Sequence, residues 1–153
     1  MGEMIESLII EKIYIAPMWI IDMIWTLYLV ASLGILSSLY AWYIHFRHLR
    51  NPEYESICDI NEEVNCTKVV TGKYGTIFSI PNSIWGFLYY SLILMLSYHN
   101  LLLPIFWLSI LSVLGSIYLG YILYFKLRQM CILCTLVYVL NVAMFVIAYM
   151  LMN

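Results

Sequence analysis

Charge is what this sequence has least of: Asp, Glu, Lys and Arg make up 10% of its 153 residues, against about a quarter in soluble domains. With 64% of residues hydrophobic and a mean hydropathy of +0.90, the composition belongs to the membrane class. The net charge is −2 and no large basic patch occurs, which excludes a nucleic-acid partner. No cleaved leader is expected. The start, MGEMIESLII, is acidic where a signal peptide is basic, and the first long apolar run far exceeds an h-region, so an uncleaved N-terminal helix is expected. There is no internal repeat. Cysteines are few, four in all, and none lies at the centre of an apolar run.

What is present in abundance is long apolar sequence. Met23 to Ile44 is apolar or weakly polar throughout and long enough to cross about 30 Å of hydrocarbon. The following segment turns polar, and Asn51-Pro52 marks the end of the first helix. Pro81 stands where proline suits a helix start, and His99-Asn100 and Lys126-Leu127-Arg128-Gln129 form short turns. The expected spans are 17–48, 82–98, 101–125 and 130–152, with 1–16 as an interfacial segment and 49–81 as a loop. Open sheets cannot cross lipid. The fold class is therefore an all-α membrane protein, a four-transmembrane-helix bundle with a long Cys-containing loop between helices 1 and 2. In that topology the loop and the 126–129 turn share one membrane face, and so do all four cysteines.

Those cysteines form two pairs. Cys131 and Cys134, in CILC, are i, i+3 at the start of the last span, where backbone N–H groups and the nearby Arg128 favour a thiolate. A thiolate at the lip of an apolar cavity can attack an electron-poor, lipid-soluble ring such as a quinone. Tyr138 and Asn141 continue the same stripe deeper into the span, where they would otherwise be two interhelical hydrogen bonds. Cys58 and Cys66, in CDINEEVNC, sit in acidic surroundings that a soluble protein can reach. Three readings remain open for the four thiols: a fixed staple, a four-cysteine zinc site with atypical spacing in its first half, or a redox relay. His45 and His48, flanked by Arg47 and Arg50, form a solvated collar at the end of the first helix.

The ordered set CDINEEVNC, then PNSIWG, then GSIYLGYILYFKLRQMCILCTLVYVLNVAM resembles the vitamin K epoxide reductase family over roughly residues 20 to 150. The resemblance implies a quinone-linked thiol oxidoreductase in which Cys134 lies next to the quinone and Cys131 is its partner on the path to the loop. It further implies that Cys66 exchanges with Cys131, and that Cys58 meets a thioredoxin-like protein. Asn82 and Tyr138 match positions that hydrogen-bond the quinone oxygens. Family members commonly carry a Ser or Thr five or six residues after the second loop cysteine, where this chain has Thr71 and then Gly72. A separate thioredoxin-like partner protein, rather than a fused domain, is expected. The same relay would serve disulfide formation or reduction of vitamin K epoxide itself. A non-enzymatic membrane protein with structural disulfides or zinc is the reading from a different class. Arg47, Arg50, Lys68, Lys73, Lys126 and Arg128 all lie on the cysteine face, which the positive-inside rule places in the cytoplasm; an extracytoplasmic face with an atypical charge pattern is the alternative.

Overall fold

The computed structural model describes residues 18–153, so the interfacial segment expected at 1–16 lies outside the described residues. Among these, the chain forms α1 (Met18–Arg50), α2 (Cys66–Thr71), a ribbon of β1 (Thr76–Ile77) and β2 (Ile80–Pro81), α3 (Asn82–Tyr98), α4 (Leu102–Tyr121) and α5 (Ile132–Met152). A π-helical segment, Ile122–Leu127, prolongs α4. Three helical stretches are long and apolar enough to cross a membrane: Met18–Arg50, Leu102–Leu127 and Ile132–Met152. The fourth long helix, α3, has 17 residues and is therefore about 25 Å long.

Helix α1 packs against α3 and α5, and α4 packs against α5. Their shared core is built from Leu27, Ala31, Tyr90, Ile93, Ile105 and Met144. Close approach of α1 and α3 depends on Gly34, because a Cβ there would run into the ring of Tyr90. Small residues at such crossings let helices approach in lipid, where dispersion contacts rather than water exclusion hold them together. The outer faces are apolar: Leu29, Leu36, Leu111, Leu114 and Val139 are all exposed. An apolar exterior of this extent suits lipid and not water.

The helix ends have local causes. Asn100, at φ 56°, takes the left-handed conformation that asparagine tolerates, and Leu101 N–H donates to the Leu96 carbonyl at 3.0 Å as the chain reverses. Arg128, at φ 49°, ends the π-helical segment the same way. The end of α1 carries stacked cations, Arg47 over Tyr43 and Tyr54, and Arg50 over Phe46.

The segment between α1 and α3 departs from the all-α expectation. It contains the short β1–β2 ribbon, with Thr76 opposite Pro81 and Ile77 opposite Ile80. Phe78 and Ser79 form its tip at φ 52° and 65°. Two-residue strands are too short to leave a periodic signature, which is why the sequence pattern does not reveal them. Gly75 joins the ribbon to α2: a Cβ there would strike the Val70 carbonyl. Its own carbonyl accepts from Asn82 N–H at 2.8 Å, which ties the segment to the start of α3.

Candidate active site

The loop reaches the helix junction through a single parallel bridge between Val64 and Met130. Met130 N–H donates to the Glu63 carbonyl at 2.7 Å, and Asn65 N–H donates back to the Met130 carbonyl at 3.0 Å. The residues that follow these partners are Cys66 and Cys131, both fully buried. Backbone pairing thus carries one loop thiol to one helix thiol. Val70 and Leu123 pack around the two, with Cys58 and Cys134 at the edges of the same cluster.

Each pair is closed by its own local structure. Asn61 accepts from the N–H groups of Glu63 and Val64 at 3.0 and 2.7 Å, turning the chain between Cys58 and Cys66. Asn65 then caps α2 by accepting from Lys68 N–H at 2.8 Å. Cys131 caps α5, its Sγ accepting from Cys134 N–H at 3.3 Å. All four cysteines are unpaired thiols. They stand as a series: Cys58 interacts with Cys66, Cys66 with Cys131, and Cys131 with Cys134.

Local surroundings set the protonation of the loop thiols. Burial pushes Cys58 up to about 11, partly opposed by the Ser56 hydroxyl, whose oxygen lies 3.4 Å from its sulfur. The Cys131 thiol, with burial, raises Cys66 above the ordinary thiol range. Asp59 goes the other way. Burial opposes its ionisation, but hydrogen bonds from Thr67 and Ser56 outweigh that and hold its carboxyl below the usual carboxylate range.

Beyond Cys134 opens a cavity of about 510 Å³ between the helices. Its walls include Leu108, Leu111, Leu119, Trp85 and Val137, and its polar groups include Asn82, Tyr138 and Cys134. That size and character suit one small, mostly apolar compound oriented by a few polar groups. Asn82, in the first turn of α3, donates to the Tyr74 carbonyl at 3.3 Å and so stands braced beside the loop. Asn141 is already engaged: it accepts from Tyr90 at 2.8 Å and donates to Ser116 at 2.8 Å, joining α3, α4 and α5. It fills the interhelical role that its place on the stripe also allowed. Thr71 likewise is spent on structure, donating to the Thr67 carbonyl at 2.7 Å.

Residues 25–149 match the family model described as the Vitamin K epoxide reductase family. The chain belongs to this family. Two curated relatives are similar to it, each named Vitamin K epoxide reductase complex subunit 1. The mouse protein (Mus musculus) is 31% identical over 134 residues, covering 76% of this chain and 82% of the relative. The rat protein (Rattus norvegicus) is 29% identical over 134 residues with the same coverage. Family membership and the apolar helices together make the chain an integral membrane oxidoreductase.

Within this vitamin K epoxide reductase family member, the six residues singled out in the sequence fall into two connected places. Cys58, Cys66, Cys131 and Cys134 form the thiol series. Cys134, Asn82 and Tyr138 line the cavity. Among the described residues, no group of three or more His, Cys, Asp or Glu side chains is arranged to hold a metal ion. Sequence reading missed Asp59, the Val64–Met130 bridge, Tyr74, and Tyr90 and Ser116 as the partners of Asn141. The acidic residue directly after Cys58 was the one available signal. The rest depend on contacts between segments far apart in the chain.

Proposed function

We propose that this chain is a quinone-dependent thiol oxidoreductase of four membrane crossings, in which α3 is the second crossing. Electron pairs pass from a separate thioredoxin-like protein to Cys58/Cys66, then to Cys131/Cys134, and finally to a quinone, supporting disulfide formation in other proteins. The carrying observation is the uninterrupted thiol series that ends at the lip of an apolar cavity. One end of that series is half-exposed in a polar loop and the other opens toward lipid-soluble ligands.

Each exchange conserves electrons. A dithiol partner opens the Cys58–Cys66 disulfide and leaves as a disulfide itself, and the loop dithiol in turn opens Cys131–Cys134. A bound quinone supplies the sink, taking two electrons and two protons from the Cys131/Cys134 dithiol. Asn82 and Tyr138 orient the ring through its oxygens, and the apolar walls exclude water. The bridge at Val64–Met130 keeps Cys66 within reach of Cys131. The Lys and Arg distribution favours a cytoplasmic cysteine face.

The test is quinone-dependent oxidation of a reduced thioredoxin-like protein by the purified chain, wild type against Ala variants at each cysteine. Turnover in the wild type and its loss in all four variants is expected. Undiminished turnover in Cys134→Ala would refute the relay. The names of the mouse and rat relatives favour a second substrate, vitamin K epoxide, so the same assay is run with epoxide in place of quinone.

A further inference from the structure

We propose that Asp59 is the positioning residue of the loop thiol pair: its carboxylate ties the residues beside Cys58 to those beside Cys66 and so holds the two thiols ready to close. This inference rests on the relay proposed above, but its test reads the loop pair without any quinone turnover.

Asp59 directly follows Cys58, and Thr67 directly follows Cys66. One carboxylate oxygen of Asp59 accepts from Thr67 N–H at 3.0 Å. The other accepts from Ser56 N–H at 2.7 Å and from the Thr67 hydroxyl. Ser56 N–H also reaches the Thr67 hydroxyl oxygen at 3.2 Å, and Asp59 N–H donates to the Ser56 carbonyl at 3.0 Å. Ser56 and Thr67 are both buried. The result is a closed polar knot of three residues, and no bond within it involves a sulfur atom.

The independence from sulfur is what gives the knot its consequence. Seven residues separate Cys58 from Cys66, and bringing the ends of such a loop together costs conformational entropy. A disulfide also demands a narrow range of Cα separations and Cβ directions. The knot meets the entropy cost in the dithiol state as well as in the disulfide state, so oxidation needs little further ordering. The Asn61 turn shapes the middle of the loop but touches neither residue adjacent to a thiol except through the chain. Asp59 makes most of the bonds between the two flanks, and the longer Ser56–Thr67 contact is the other direct link. The bonds of Asp59 with Thr67 and Ser56 keep it ionised throughout the neutral range, so the knot persists where thiol exchange occurs.

The experiment equilibrates the purified full chain, anaerobically, in graded ratios of oxidised to reduced dithiothreitol. Closing the loop pair breaks two S–H bonds and forms one S–S bond, and the two electrons and two protons pass to the oxidised dithiothreitol. After acid quench, differential alkylation and peptide mass spectrometry report each cysteine separately. In Asp59→Ala the equilibrium constant for the Cys58–Cys66 disulfide should fall about tenfold, a potential about 30 mV less negative. The Cys131–Cys134 constant should stay within about twofold of wild type, since no bond of the knot reaches it. Thr67→Val keeps both backbone donors and removes only the hydroxyl, so a smaller fall of about threefold is expected. Unchanged loop constants in both variants overturn the proposal. Equal shifts in both pairs also overturn it, because Asp59 would then serve only general stability. A wild-type chain that forms no Cys58–Cys66 disulfide at any ratio overturns the relay, and the clamp with it.

Discussion

The two thiol pairs are built from opposite materials. Cys58 and Cys66 are held by side chains and turns in a polar segment: the Asn61 turn, the Asn65 cap and the Asp59 bonds. Cys131 and Cys134 are held by one helix start, in an environment packed by Leu123, Leu133 and Tyr138. A loop can present a thiol to a protein arriving from water, and it can shift when a mixed disulfide forms. A helix start cannot shift as far, but it can face a fixed cavity. Under the proposed relay each pair suits a different outer partner, while the inner members, Cys66 and Cys131, are both fully buried and meet each other. In that relay, burial of the inner pair would keep protein thiols, though not a small dithiol, from short-circuiting the series.

This contrast can be broken at either end. The largest effect belongs to Cys134→Ala, which should take quinone reduction down to the uncatalysed background with any electron donor. Cys58→Ala should be selective instead. Turnover with the protein donor stops, while a small dithiol such as dithiothreitol still reduces Cys131/Cys134 and sustains quinone reduction. Equal loss with both donors would erase the distinction between the pairs.

Next in size is Asn141→Leu. It strands the buried Tyr90 hydroxyl and removes the bond to Ser116, so thermal unfolding should report a loss of about 1–3 kcal/mol. The KM for quinone should move less than stability does, because Asn141 lines the cavity but spends its side-chain amide on Tyr90 and Ser116. Tyr138→Phe should do the reverse, raising that KM severalfold for the loss of one hydrogen bond of about 1 kcal/mol while leaving stability nearly unchanged.

The smallest effect sharpens the comparison through pH. Burial holds Cys58 at about 11, above its ordinary value of 9.0. Only the thiolate is alkylated, so labelling of Cys58 should climb about tenfold per pH unit and level off near 11. The same cysteine in the unfolded chain should level off near 9.0. A plateau at that lower value in the folded protein would show that the loop pair is not sheltered.

Much of the general plan was legible because it is written in long runs. Spans of about twenty apolar residues announce a helical membrane protein, and the ordered cysteine, asparagine and tyrosine motifs announce the family. Local chemistry was less legible. Asp59 reads in sequence as one more acid in an acidic loop, and only its contacts with Thr67 and Ser56 set it apart from Glu62 and Glu63. The Val64–Met130 bridge joins residues far apart in the chain by single backbone bonds, which leave no compositional trace. Asn141 was ambiguous for a different reason. Its position on the thiol stripe fits a ligand contact and a helix clamp equally, and in the fold it bonds Tyr90 and Ser116 while also lining the cavity.

The central claim is that electrons cross from loop to helix between Cys66 and Cys131, and it can be trapped directly. In a Cys58→Ala, Cys134→Ala double variant the two inner thiols have no other partner. Mild oxidation followed by proteolysis and mass spectrometry should recover one cross-linked peptide joining Cys66 to Cys131. Recovery of both cysteines as separately alkylated peptides, under conditions that fully oxidise the wild type, would contradict the claim.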